Sequence, residues 1–299
     1  MEANISQLSK NEKLEYLVRE NRKKIKYKSV FTSILKHTLL LLVAVSMVLP
    51  FLWMISTSLK TNYNVFTVPP QWIPDPVVTE NYPLVFEKVP FLRYFGNTLF
   101  TAVCKLVGEV GVSALVAYGF SRFSFKGKRV MFMFLLATIM LPGEATLVPN
   151  FIFWSYLGGV NTYLPLIIPS LGGQAVFIFF LVQYFNTIPK DFYEAAYMSG
   201  ANSFKIFWKI YLPMSIPAII TVSIWSFMGS WNDLLAPLIY INDQSKFTIQ
   251  IGLAMFQGMF DVDWPLLMAA TTLSLIPVII LFFSLQKYFV QSNKNDGIK

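Results

Sequence analysis

Residues 189–213 read PKDFYEAAYMSGANSFKIFWKIYLP and form a polar segment between two long apolar runs. Two short helices are predicted in this segment, with Gly200 between them. At the inner face of a membrane protein, such a helix pair would be shaped to dock a soluble partner. An ordinary amphipathic connector between two membrane spans is the alternative that these residues alone leave open.

The composition is that of a membrane protein. Of the 299 residues, 55% are apolar and only 13% are charged, whereas a soluble protein carries about 25% charged residues. Apolar runs near 20 residues recur, and each is long enough to cross about 30 Å of hydrocarbon. The backbone must satisfy its own hydrogen bonds in lipid, and the alternating pattern of barrel strands is absent, so these runs predict helices. We therefore expect an all-α membrane protein with six transmembrane helices, at 36–58, 96–120, 130–152, 163–185, 214–240 and 264–286.

The positive charges predict the orientation in the membrane. Nineteen of the 24 lysines and arginines fall in segments that lie inside if both termini are cytoplasmic, and four fall in the outer segments. Cytoplasmic loops carry such an excess, so we expect a multi-pass protein of a bacterial-type cytoplasmic (inner) membrane with both termini cytoplasmic. The net charge of +8 is mostly this inner excess. Outside the membrane no basic stripe is interleaved with aromatic residues, so no nucleic-acid partner is expected, and the lipid bilayer is.

The domain organisation follows from these segments. Residues 1–29 are expected to form a cytoplasmic N-terminal tail, 30–291 a six-helix transmembrane domain and 292–299 a cytoplasmic C-terminal tail. Residues 186–213 are the longest cytoplasmic loop within the transmembrane domain.

The 186–213 segment has recognisable helix ends. Asp191 followed by Glu194 resembles a capping box, so the first helix is predicted to begin there and to run to about Ser199. Gly200 is well placed to end it in a left-handed conformation. Asn202 or Ser203 can then cap a second helix.

The two predicted helices of this segment have different surfaces. On the first, Ala195 and Ala196 keep one side slim, so another surface can approach closely. The second has an apolar face with helical spacing and lysines on another face, so it is predicted to lie along the membrane surface. That apolar face comprises Phe204, Phe207, Trp208 and Tyr211.

Several polar residues inside the predicted spans are candidates for a substrate pathway. Lys105 and Glu109 are four residues apart and share a helix face. Charges at membrane depth usually face a bundle interior or a cavity, so the pair is either part of a pathway or a self-neutralising structural pair. Glu144 follows Pro142-Gly143, where a helix break can line a cavity.

Trp231, Asn232 and Asp233 form a second candidate group, late in the fifth predicted span. A planar aromatic ring, an amide and a carboxylate are the groups that bind sugars. The alternative is a helix break with an aromatic anchor at the outer interface.

The chain resembles the permease subunits of binding-protein-dependent ABC transporters. Their loop pattern is Glu-Ala-Ala, three residues, Gly, nine residues and Ile-x-Leu-Pro. Here it reads Glu194-Ala195-Ala196, Gly200 and Ile210-Tyr211-Leu212-Pro213. Further matches point to the maltose-type carbohydrate permeases of the second-subunit kind, and the likeness covers roughly residues 30–291. They are Asn81-Tyr82, Ala117-Tyr118-Gly119-Phe120-Ser121-Arg122-Phe123, Trp231-Asn232-Asp233, Pro237-Leu238 and Gln286-Lys287-Tyr288-Phe289-Val290.

The chain departs from the family pattern at two places. Ser199-Gly200 stands where Asp-Gly is usual, which could alter the capping of the loop. Gln291-Ser292 stands where a glycine often follows the final Tyr-Phe-Val.

The resemblance implies a type I ABC importer permease fold and a set of partners. These are a second permease subunit that completes a heterodimeric pore, a dimeric ATP-binding subunit, an extracytoplasmic solute-binding protein, and a sugar or oligosaccharide that crosses by alternating access. The residues that would couple the pore to the ATPase are Asp191, Glu194, Ala195, Ala196, Ser199, Gly200 and Ala201.

The sequence lacks the motifs of an enzyme. No Gly-x-x-x-x-Gly-Lys-Ser/Thr loop occurs, so ATP and Mg are expected on the partner ATPase, with no cofactor in this chain. Cys104 is the one cysteine, which excludes a disulfide framework and a cysteine-based metal site; acidic residues are dispersed, so no metal site is expected. Two other functions stay open: an ion-coupled secondary transporter, which should show pseudo-symmetric halves, and a non-transporting membrane scaffold.

Overall fold

The computed structural model describes residues 10–258 and 262–295, with side chains for 30–258 and 262–286. The chain divides into two compact units, Met1–Ser56 and Thr57–Lys299. The C-terminal tail after residue 295 and most of the Gln286–Val290 motif's side chains lie outside the described residues. The same holds for residues 1–9 of the expected N-terminal tail.

The first unit consists, in its described part, of one long helix. This helix, α1, runs from Lys10 to Ser58, so its last two residues belong to the second unit. It continues without interruption across the expected boundary at residue 29. Its stretch Val30–Ser58 is apolar and long enough to cross a membrane.

The regular secondary structure in the described part of the second unit is helical, apart from one isolated bridge between Gln257 and Val262. Short 3₁₀ turns occupy Asn62–Asn64, Gly143–Thr146, Ile168–Gly172 and Gln244–Lys246, and Phe207–Tyr211 is a π-helix. The α-helices in chain order are α2 (Asn81–Lys88), α3 (Phe91–Arg122), α4 (Lys128–Ile139), α5 (Leu147–Tyr156), α6 (Leu164–Ile167), α7 (Ala175–Thr187), α8 (Asp191–Met198), α9 (Ser203–Ile206), α10 (Leu212–Met214), α11 (Ile216–Trp231), α12 (Leu235–Tyr240), α13 (Ile249–Ala254) and α14 (Trp264–Asn295).

Four helical stretches among the described residues are long and apolar enough to span a membrane, one of them interrupted at Gly173. They are Val30–Ser58, Phe91–Arg122, Leu164–Thr187 and Trp264–Gln286. Two more spans are obtained only if each of two bent helix pairs crosses as one unit: Lys128–Ile139 with Gly143–Tyr156, and Ser203–Met214 with Ile216–Trp231. The count of six spans therefore stays a prediction.

The predicted span 130–152 is bent rather than straight. Its two halves meet at 94°, with the break between Ile139 and Gly143. Pro142 lies in this break. Proline supplies no backbone donor and disfavours helical geometry in the residue before it, so the helix ends ahead of Leu141.

The prediction of one helix over 214–240 is corrected by the structure. The helix α11 covers only Ile216–Trp231, and a break at 232–234 separates it from α12. At its start, Ser215 departs from helical geometry and Pro217 occupies the first turn. A proline there costs no hydrogen bond, because the first turn has no internal acceptor for its N–H. The preceding helix is bent 81° away from α11.

The helix α3 is the centre of the second unit. It packs against α7, α11 and the 3₁₀ turn Ile168–Gly172. Around its C-terminal half lies a buried apolar cluster that includes Phe177, Leu181, Phe185, Phe207 and Tyr211. Around its N-terminal half lies a second cluster that includes Val85, Tyr94, Phe227, Trp231 and Ile249.

Small residues on α3 allow one very close approach. A Cβ on Gly108 would overlap the Ser170 hydroxyl and would lie 3.2 Å from the Ser170 carbonyl carbon. Ala114 and Ala117 are buried on the same helix. Around Gly111, by contrast, no described atom lies within 4 Å of such a Cβ. Of these small residues on α3, Gly108, Ala114 and Ala117 therefore pack against the rest of the chain, whereas Gly111 does not.

We predict that Gly108→Ala destabilises the protein, whereas Gly111→Ala does not. The added methyl group at Gly108 would be forced into Ser170, and overpacking of this kind costs about 1–3 kcal/mol. At Gly111 the same change meets open space and improves helix propensity. Thermal unfolding of both variants in detergent measures the difference, and equal melting temperatures would contradict the close approach.

Candidate functional site

The 186–213 segment contains the two helices that the sequence predicts, but the first begins differently. Asp191 is already the first helical residue, and Lys190 is the N-cap, with no side-chain capping bond. The Lys190 carbonyl accepts hydrogen bonds from the backbone N–H groups of Tyr193 and Glu194. The predicted capping box is therefore wrong, because Asp191 comes one residue too late to cap.

The end of α8 is as predicted. Gly200 has φ +80°, the left-handed conformation. The Gly200 N–H donates to the Tyr197 carbonyl at 3.0 Å, and the Ala201 N–H donates to the Ala196 carbonyl at 3.1 Å. These two bonds are the Schellman pattern, which closes a helix with backbone groups alone.

Ser199 has a structural role at the same turn. Its hydroxyl donates to the Ala195 carbonyl at 2.8 Å. A carboxylate at this position could not donate that bond. The serine hydroxyl thus adds a second donor to the Ala195 carbonyl, which also accepts from the Ser199 backbone N–H at 3.1 Å, while the turn itself is set by Gly200.

The second helix begins as predicted and then widens. The Asn202 side chain accepts from the Lys205 N–H at 2.8 Å and caps α9. The four residues of the predicted apolar face divide into two pairs, since Phe207 and Tyr211 are buried while Phe204 and Trp208 are exposed. Each pair consists of residues four apart, so neighbours at i and i+4 keep the same environment through the π-helix Phe207–Tyr211.

The helix α8 of the 186–213 segment presents an exposed surface of charged and apolar side chains. Glu194 and Ala195 are exposed on α8, whereas Ala196 is half-buried against the first apolar cluster. Large apolar side chains beside Glu194 are also exposed. They are Phe192, Tyr197 and Met198. Apolar groups exposed next to a charge on a polar loop are typical of a protein-binding surface.

The second candidate region is a cavity of about 450 Å³ among the helices of the second unit. Lys105, Glu109 and Asp233, which were predicted from separate parts of the sequence, all line it. Gly143 and Gly173 line it as well, so three interruptions of helices meet at this cavity. Such a polar, irregular lining is suited to a hydrophilic molecule.

Two of the three charged residues that line the cavity form a pair. Lys105 Nζ lies 3.9 Å from Glu109 Oε1, and the two side chains are 27% and 11% exposed. The Ser226 hydroxyl donates to Glu109 Oε2 at 2.6 Å, which ties α11 to α3. The pair thus meets both interpretations of the sequence, since it is internally neutralised and also faces the cavity.

The group Trp231, Asn232 and Asp233 is split by the structure. Asp233 lines the cavity and its carboxylate accepts from the Ala236 N–H at 3.2 Å, at the start of α12. Asn232 is exposed, and its amide donates to the Met228 carbonyl at 2.9 Å.

Trp231 lies in the core rather than in the cavity. It is 2% exposed, its ring stacks on Phe227, and its Nε1 donates to the Ser274 carbonyl at 3.2 Å. The ring therefore offers no free face for a sugar to stack on within this chain.

Glu144 lies at the helix break but does not line the cavity. Its side chain is exposed, while its neighbours Gly143 and Thr146 do contact the cavity. Two amides that line the cavity, Asn150 and Gln174, were not predicted from the sequence. The signal that could have found them is an amide inside an apolar run, where a polar side chain is costly without a partner or a cavity.

Residues 109–295 match the protein family described as the binding-protein-dependent transport system inner membrane component. The probable ABC transporter permease protein YurM of Bacillus subtilis is 35% identical over 273 residues, which are 90% of this chain and 88% of that protein. The trehalose/maltose transport system permease protein MalG of Thermococcus litoralis is 33% identical, over 89% of this chain and 98% of that protein. The diacetylchitobiose uptake system permease protein NgcG of Streptomyces coelicolor is 31% identical, over 85% of this chain and 84% of that protein.

The fold is also similar to solved structures. A chain of a bacterial ABC transporter involved in the import of the acidic polysaccharide alginate matches with a TM-score of 0.76 and 24% identity, over 88% of this chain and 98% of that chain. The alginate transporter in complex with an alginate pentasaccharide-bound periplasmic protein matches with a TM-score of 0.60 and 17% identity, over 88% and 95%. The all-helical fold is that of an ABC importer permease.

The paired charges of the cavity give a test by double-mutant cycle. We predict that Lys105→Met alone destabilises the protein, because Glu109 loses its counter-charge. The loss should stay below the about 3–5 kcal/mol typical of fully buried pairs, since Lys105 is partly exposed. The double variant Lys105→Met with Glu109→Gln should recover part of that loss. The cycle compares the free energies of unfolding in denaturant of the parent, the two single variants and the double variant. Strictly additive effects of Lys105→Met and Glu109→Gln would contradict the pairing.

Proposed function

Because the chain belongs to the family of inner-membrane components of binding-protein-dependent transport systems, we propose that it is one of two permease subunits of an ATP-driven importer for a sugar or oligosaccharide. It is a multi-pass membrane subunit, and in the proposal ATP and Mg bind a separate, dimeric ATPase. Both termini and the 186–213 segment lie on the cytoplasmic side, in accordance with the positive charges.

The observation that carries the proposal is the exposed helix pair of the 186–213 segment. A helix held by a backbone-only turn at Gly200 carries Glu194 and several apolar side chains outward. In the proposed transporter this surface seats in a groove of the ATPase, and Glu194 pairs there with a basic residue. The seven residues from the sequence prediction, Asp191 to Ala201, belong to this contact or shape it.

The sugar substrate is supported by the relatives and by the cavity. Relatives named for trehalose/maltose and diacetylchitobiose uptake are more than 30% identical over most of both chains. The cavity offers carboxylates, amides and hydroxyls, which are the groups that hydrogen-bond a sugar. A solute-binding protein on the opposite face would deliver the substrate; the similar alginate transporter is solved in complex with a pentasaccharide-bound periplasmic protein. An ion-coupled carrier or a scaffold is not favoured by the relatives.

The first experiment is purification of the tagged chain from its native membrane in mild detergent, with mass spectrometry of the proteins that accompany it. A second permease and an ATPase are expected. Recovery of the chain alone, in a state that still transports after reconstitution, would overturn the proposal.

We predict that Glu194→Arg weakens ATPase association and lowers uptake by at least about tenfold, because a like charge at an interface costs several kcal/mol. Glu87→Arg is the matched control, an equal charge reversal at an exposed glutamate of α2. Co-purification of the ATPase and uptake of labelled sugar are the measurements. Full uptake by the Glu194 variant would count against the proposed docking contact.

The double variant Lys105→Met with Glu109→Gln separates a pathway from a structural pair. If these residues line the sugar path, as we propose, the double variant should regain stability but transport several-fold more slowly. Recovery of both stability and transport would assign the pair to structure alone. Uptake per assembled complex is the quantity to measure, so that differences in expression do not enter.

A further inference from the structure

The helix α3 joins the two candidate regions of this protein. Lys105 and Glu109 lie on the cavity, and Arg122 is the last residue of the same uninterrupted helix. From Lys105 to Arg122 the helix rises about 25 Å. A displacement imposed at the Arg122 end would therefore move the cavity wall as part of one rigid element.

Arg122 binds carbonyl groups at the C-terminal end of α7. Its guanidinium donates to the Phe185 carbonyl and, at 2.8 Å, to the Ile188 carbonyl. The last carbonyls of a helix lack the usual N–H donor four residues on, and the Phe185 carbonyl has only a 3.2 Å bond from the Ile188 N–H besides the one from Arg122, whose guanidinium can donate to two carbonyls at once. The chain leads from Ile188 directly into α8.

Arg122 also contacts the second half of the 186–213 segment. Its guanidinium carbon lies 4.7 Å from the centroid of the Tyr211 ring, a cation–π geometry. One turn earlier, the Tyr118 hydroxyl donates to the Ser203 carbonyl at 3.0 Å. The Tyr118 ring packs against those of Phe207 and Tyr211.

The covalent route from the 186–213 segment to its following span is bent. The helical stretch Ser203–Met214 contains a π-helix and meets α11 at 81°, with Ser215 between them. A hinge of this kind can absorb movement, and π-helical turns often occur at functional sites. The contacts of Tyr118 and Arg122 have no such joint between them and the cavity.

We infer that Arg122 and Tyr118 are positioning residues that transmit movement of the 186–213 segment to α3, and through it to the Lys105–Glu109 wall of the cavity. This inference rests on the proposed function, since it requires an ATPase that moves the segment. It assigns the transmission to side-chain contacts on α3 rather than to the chain connection into α11.

The test uses the complete importer complex in proteoliposomes with its loaded binding protein. Arg122→Gln should leave assembly and basal ATP hydrolysis within about twofold of the parent, while sugar transported per ATP hydrolysed falls by about tenfold, within the usual range of coupling changes. Arg122→Lys, which can still donate to the two carbonyls, should recover part of the loss. Arg129→Gln, an equal change at an exposed arginine of the neighbouring helix α4, should keep the parent ratio.

Tyr118→Phe provides a second test if Arg122→Gln fails to assemble. It removes only the hydroxyl that donates to the Ser203 carbonyl, so the variant is expected to fold. It should lower transport per ATP several-fold with normal assembly. An unchanged ratio in every Arg122 and Tyr118 variant that assembles would overturn the inference while leaving the proposed function in place. A parent chain that brings no ATPase with it would instead overturn the proposed function.

Discussion

In hydrocarbon, a backbone group that leaves a helix has no water to bind, and this constraint organises the molecule. Helix interruptions are tolerated at membrane depth only where protein covers them or where they line a wet cavity. The chain breaks its helices before Gly143, at Gly173 and after Trp231, and residues at all three breaks line the same cavity. The positions of the breaks and of the cavity are thus two aspects of one requirement.

Unlike the helices that are interrupted at the cavity, α3 is unbroken and supports them. It is continuous from Phe91 to Arg122 and packs on α7 and α11, both of which adjoin breaks. Ser226 on α11 is held by Glu109 on α3, so a polar contact supplements the apolar clusters at the cavity wall. The interrupted helices have a rigid neighbour against which their irregular ends are fixed.

Much of the fold was predictable from the sequence because it depends on local rules. Apolar length identified the helical runs, Gly200 marked a left-handed turn, and Asn202 marked a cap. The capping role predicted for Asp191 was wrong because a cap must occupy one exact position. The Lys190 carbonyl accepts the first helical hydrogen bonds, so the N-cap is Lys190 and Asp191 already lies inside the helix. The apolar residues of the second helix divide into a buried and an exposed pair, and this division depends on packing against α3 rather than on their spacing.

The candidate cavity was only partly predictable because it is made by packing across distant segments. Lys105, Glu109 and Asp233 were visible as charges in apolar surroundings, whereas Asn150 and Gln174 acquire their meaning only once α5 and α7 lie beside α3. Trp231 could not be assigned from its neighbours in sequence. Its burial depends on Phe95 of α3 and on the Ser274 carbonyl of α14, which the sequence does not place beside it.

At the end of α8, backbone groups form the turn, while side chains on the outward face are available for contacts with a partner. Its closing bonds join backbone groups around Gly200, so the outward side chains of α8 take little part in holding the helix end. Substitutions on that outward face can accumulate without unmaking the turn. A chain built in this way can exchange one soluble partner for another over evolutionary time and still present its helix at the same angle.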